Sequence, residues 1–136
     1  MGSRDLREAT RARTRAALGR RSDAAAHARG ASRTFLNGLQ PPVREETASA
    51  VELVVSELVT NAVRHARGDL CVLELDDGPD AVSVAVRDGD PAPPRARTPD
   101  FTGSGGFGLL MVGRLADEVT VESAARGKTI RARVPK

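Results

Sequence analysis

The chain has 136 residues, 40% of them hydrophobic and 29% charged, which leaves room for one compact globular domain and little more. Three Phe with no Tyr and no Trp exclude an aromatic platform for single-stranded nucleic acid and require a core of Leu, Val and Ala. The formal net charge of +3 is uneven: residues 1–33 carry nine Arg against Asp5, Glu8 and Asp23, so the remainder is mildly acidic.

Residues 1–21 are rich in Arg, Ala and Thr with weak periodicity, and read as a flexible arm before a domain spanning residues 22–136. Most basic stretches of this kind are solvated, so nucleic acid is not the expected partner. The first residues hold no apolar signal region, and no run approaches the ~20 apolar residues of a membrane span. A cytoplasmic location away from membranes is the expectation.

Ser22 or Asp23 can cap a helix over about residues 24–39, in which Ala28, Ala31, Phe35 and Leu39 recur at helical spacing. Gly38 and the pair Pro41-Pro42 end it. A second helix over residues 45–65 is the clearest element, because Ala50, Val51, Val54, Val55, Leu58, Val59, Ala62 and Val63 recur at three and four. Gly68 lies just beyond.

Residues 70–75 form a short apolar run holding Cys71, the single cysteine, which reads as a buried and inert thiol. A dense turn signal at residues 76–80 separates this run from Val82, Val84 and Val86, which alternate with Ser83, Ala85 and Arg87. Together they read as an antiparallel hairpin. Four Pro and four Gly exclude regular structure over residues 89–106, a length usual for functional loops. A short helix from Phe107 to about Leu115 follows, with Leu109, Leu110, Val112 and Leu115 expected inward. Two strands close the chain, one around Val119 and Val121, the other with Ile130, Ala132 and Val134 alternating with Arg131 and Arg133. The order predicts an α+β two-layer sandwich, with helices on one face of a mixed, mainly antiparallel sheet.

Glu57, Asn61 and His65 stand at i, i+4 and i+8 of the second helix and form one polar line beside its apolar stripe. On the helix alone the line reads rather as a solvated edge, with Glu57 paired to Arg64 or another surface cation and Asn61 exposed. The segment Thr102-Gly103-Ser104-Gly105-Gly106-Phe107-Gly108 runs into a helix start, where free backbone N–H groups can hold an anion. It has no Gly-Lys-Ser/Thr of a Walker A loop and no strand directly before it, so neither common phosphate-loop signature applies.

The order of these features is more specific than any one of them. Glu57-Leu58-Val59-Thr60-Asn61-Ala62-Val63-Arg64-His65-Ala66, then Asp88 after an alternating strand, then Gly106-Phe107-Gly108-Leu109-Leu110-Met111-Val112, then Gly127-Lys128-Thr129 resembles the Bergerat-fold ATPases. That superfamily includes DNA gyrase, MutL and the sensor histidine kinases. Within it the chain is most similar to the small anti-sigma-factor serine/threonine kinases, over roughly residues 24–134.

The resemblance implies ATP and Mg²⁺ as ligands. It assigns Asn61 to the metal that bridges the phosphates, Glu57 to the general base, and Asp88 to the adenine amino group. Gly103, Gly105, Gly106 and Gly108 fall in the phosphate-cradling loop, Thr129 at the hydroxyl supporting adenine recognition, and His65 at a helix-end position of open role. A sigma factor and an anti-anti-sigma antagonist are the implied partners, and a homodimer the implied assembly. The chain departs from the family in its first glycine box, where Asp88-Gly89-Asp90-Pro91-Ala92 stands for Asp-x-Gly-x-Gly. That departure keeps open an alternative, a nucleotide-responsive regulatory module without phosphotransfer.

Overall fold

In a computed structural model, residues 12–19, 22–65, 70–90 and 106–136 are described. Five strands and three helices occur among them, in the order β1 (Arg13–Ala17), α1 (Ala24–Asn37), α2 (Glu45–His65), β2 (Cys71–Asp77), β3 (Ala81–Asp88), α3 (Gly106–Leu115), β4 (Glu118–Ala124) and β5 (Gly127–Pro135). The sheet runs β1-β2-β3-β5-β4. A mixed, mainly antiparallel sheet was the expectation; every described pairing is antiparallel. The layers otherwise follow the expected α+β sandwich.

Strand alternation builds the core. Leu73 and Leu75 of β2, Val82, Val84 and Val86 of β3, and Ile130, Ala132 and Val134 of β5 are all buried. They share the face turned toward the helices. Helix α2 lies across this face, packed on β2, β3 and β5, with α1 and α3 against it on the helix layer. Val51, Val54, Val55, Leu58, Val59 and Ala62 form its buried stripe, the one read from its periodicity. No helix among the described residues is long and apolar enough to cross a membrane.

The arm expected over residues 1–21 is partly structured. Residues 13–17 form an edge strand that pairs with β2 from Arg13 opposite Asp76 to Ala17 opposite Val72, so the domain begins before residue 22. Its inward residues, Thr14 and Ala16, are small, which leaves little apolar signal; backbone pairing with β2 holds it. Arg13 and Arg15 point outward, and charged side chains on an edge disfavour pairing with further strands. Residues 1–11 lie outside the described part.

A second correction concerns α3. Val112 is buried at 1% exposure, but Leu110, expected inward, is 48% exposed. Helix α3 covers the sheet only at its margin, and β4 beyond it is exposed along its whole length. On the opposite face of the sheet, Arg13, Arg15, Glu74, Asp76, Arg131 and Arg133 surround a concavity of about 450 Å³. Signs alternate there, with Arg13 paired to Asp76 at 3.5 Å and Arg131 to Glu122 at 3.8 Å, so the face is not a uniform basic patch.

Candidate nucleotide site

Period-two alternation carries a carboxylate into the helix-facing layer. Asp88 continues the series Val82, Val84, Val86 and is 2% exposed. In the antiparallel register its cross-strand partner on β5 is Lys128, which continues the series Ile130, Ala132, Val134 backwards and is 6% exposed. Lys128 Nζ lies 3.1 Å from Asp88 Oδ1 and 3.0 Å from Oδ2, and donates to the Asp90 carbonyl at 3.2 Å. The Asp90 backbone N–H donates to Asp88 Oδ1 at 2.8 Å, the local turn that an Asp side chain favours two residues ahead of itself.

Two buried charges therefore neutralise each other at the end of the sheet. Such a pair roughly breaks even against apolar packing, whereas removing one member strands the other at a cost of about 3–5 kcal/mol. All three donors of the ammonium have acceptors within reach. The sequence signal for Lys128 was present: the Ile130/Ala132/Val134 alternation, extended one step, puts it on the core face beside Asp88. Thr129, the residue implied for adenine recognition, has the opposite parity. It stands across from Arg87 and Glu122, on the face away from the helices, so it does not join Asp88.

Cys71 faces Asp88 across the β2–β3 register and is buried and unbridged. Burial, with the Asp88 charge adding to it, pushes its thiol up to about 11 from an ordinary value of 9.0. The thiol is thus neutral and inert at physiological pH, as its sequence context suggested. In the unfolded chain it ionises first, so stability is expected to fall as pH rises from about 9 to about 11. Urea titrations across that range check this, and Cys71→Ala should abolish the thiol's share of the slope.

On α2, Glu57 and Asn61 are half-buried at the margin of the apolar stripe. Among the described residues neither side chain is tied up in a hydrogen bond or ion pair with another. The alternative in which Glu57 is held by Arg64 is not seen. His65 is the last residue of α2. Gly106 and Gly108 fall in the first turn of α3, and Gly103 and Gly105 lie outside the described residues. Leu115, at the other end of α3, shares a groove with Glu46, Ala50 and Leu53 in the first half of α2.

The model of the histidine kinase-like ATPase domain matches residues 9–134. The chain belongs to this ATPase family. Its match begins ahead of β1, in agreement with a strand before the first helix. The fold is similar to a crystal structure of the RsbU and RsbW domains of Rv1364c from Mycobacterium tuberculosis, with a TM-score of 0.68 at 21% identity over 91% of this chain. The chain spans 32% of that protein's length. No curated protein matches it.

Proposed function

We propose that this ATPase-family domain binds ATP·Mg²⁺ between α2, the end of β3 and the start of α3, and acts as an anti-sigma-factor-type serine/threonine kinase. The observation that carries the proposal is the pair Glu57 and Asn61, half-buried and without partners among the described residues, on the helix of a family ATPase domain. Helix α3 supports it. Leu115 lies beside the first half of α2, on which α3 packs, and in this reading the ten residues of α3, about 15 Å long, are enough for its start to reach the half that holds Asn61. A helix start there offers free N–H groups to phosphate oxygens.

Among the described residues no cluster of three or more His, Cys, Asp or Glu forms a metal cage. Mg²⁺ keeps waters and phosphate oxygens and takes few protein ligands. Asn61 Oδ1 is the oxygen that would hold it, and the ion would neutralise charge on the phosphates. Glu57, one helical turn earlier, accepts the proton of a substrate Ser hydroxyl as its oxygen bonds to the γ-phosphorus and ADP departs. In this reading the domain sequesters a sigma factor and phosphorylates an anti-anti-sigma antagonist, whose added charge then opens their interface. A homodimer is the proposed assembly and the cytoplasm the proposed compartment.

The test is incubation with labelled ATP and antagonist-type proteins encoded beside the gene. Phosphoserine is expected on the antagonist, with Glu57→Gln lowering transfer by about 10²-fold or more while ATP affinity stays within about twofold of the parent. Clear ATP binding without phosphoserine on any antagonist would leave the second reading, a nucleotide-responsive module. The hold of Lys128 on Asp88, together with Asp90 in the first glycine box, is the observation that favours it.

A further inference from the structure

The Asp88 carboxylate has two oxygens, and both face a donor of the protein's own. Lys128 Nζ sits within 3.1 Å of each, and the Asp90 N–H takes a further position on Oδ1. A carboxylate that is to recognise the 6-amino group of a purine must present a free lone pair to an N–H. Here the Lys128 ammonium already donates to that carboxylate, carries a full charge, and is held in a third direction by the Asp90 carbonyl at 3.2 Å. Charge-assisted contacts of this kind are about twice as strong as neutral ones, so a neutral exocyclic amine competes poorly for the same oxygens.

We infer that Lys128 is a specificity-determining residue that occupies the Asp88 carboxylate in place of a purine 6-amino group, so that the chain does not favour adenine over a 6-keto purine. The inference rests on the proposed nucleotide site and deepens it, since it concerns which base that site accepts. It also accounts for two charged residues being kept in the core layer. Each is the other's counter-ion, and while the pair is closed the protein's own donors fill all but one of the roughly four acceptor positions of the carboxylate.

The experiment compares ATP with inosine triphosphate, which differs at the 6-position in carrying a carbonyl for the amine. Calorimetry with Mg²⁺ is run on the full chain, on Lys128→Thr and on Lys128→Gln. The parent is expected to bind the two nucleotides with similar affinity. Lys128→Thr frees the carboxylate, so ATP should tighten by about tenfold while inosine triphosphate weakens, against the general loss of attraction expected when a cation is removed near phosphates. Lys128→Gln keeps one amide donor and no charge, and should move the ratio in the same direction by less. It carries the test if Lys128→Thr does not fold, as circular dichroism and melting would show. ATP should also raise the melting temperature of Lys128→Thr more than that of the parent.

Weaker ATP binding in both variants would make Lys128 a phosphate contact and overturn the inference. A parent that already prefers ATP over inosine triphosphate as strongly as the variants do would overturn it too, because the pair would then open freely. If none of the chains binds either nucleotide, the proposed site falls and this inference falls with it, an outcome distinct from binding without discrimination.

Discussion

Replacing Asn61 by Ala is expected to remove magnesium-dependent ATP binding, with affinity falling about hundredfold or more. Outer partners of a metal site already contribute 10–100-fold to its affinity when mutated, and a direct ligand should reach at least the upper end. Mg²⁺ demands oxygen donors in near-octahedral array and takes few of them from protein. A site that offers one amide oxygen therefore has little to replace it. The fold should tolerate the change. Asn61 is half-buried at the margin of the α2 stripe, and Ala is the better helix former by several tenths of a kcal/mol, so the melting temperature should hold or rise slightly. Calorimetry with Mg²⁺ and with EDTA separates the effects. The parent in EDTA should resemble the variant in either buffer. Metal-dependent binding that persists in Asn61→Ala would remove this residue from the site and leave Glu57 without its neighbour's support.

How much of this was legible in the sequence depends on how each residue signals its side. Helix α2 was plain, because its six buried positions from Val51 to Ala62 repeat at three and four with no competing period. The β2–β3 hairpin was plain for the same reason in period two. Strand β1 was not: Arg, Thr, Arg, Ala, Ala alternates, but Thr14 and Ala16 are too small to mark an apolar face, and the strand exists through its pairing with β2. Lys128 was hidden by its chemistry, since a lysine is ordinarily exposed and only its parity with Ile130, Ala132 and Val134 argued otherwise. The same parity decides against Thr129. Neighbours along a strand point to opposite faces, so with Lys128 on Asp88 the next residue must face away. Glu57 and Asn61 were legible as a polar line. Their lack of partners among the described residues is a tertiary fact that helical spacing alone does not contain.

Gly127→Ala is expected to destabilise the domain by about 3 kcal/mol, at the upper end for overpacking, and to lower its melting temperature by on the order of 10 °C. The residue opens β5 beside the end of β3. A Cβ added there would overlap the Asp88 carbonyl oxygen and stand 3.4 Å from the Asp88 carbonyl carbon and from Gly89 Cα. All of these are main-chain atoms, so no side chain can rotate out of the way, and the two strands must separate at the end that carries the Asp88–Lys128 pair. The cost thus has two parts, lost ladder geometry and a buried ion pair pulled out of register. Gly113 provides the control. It lies exposed on α3 with nothing within 4 Å of an added Cβ, and Ala there should stabilise by about 0.5–1 kcal/mol through helix propensity. Urea titrations of the two variants should therefore move in opposite directions with similar slopes. The base-selectivity measured for Gly127→Ala should also shift, because displacing Asp88 from Lys128 by a few tenths of an ångström loosens the contact that masks the carboxylate. A Gly127→Ala chain as stable as the parent would mean that the strands part there without penalty, and that close strand approach is not what holds the pair in place.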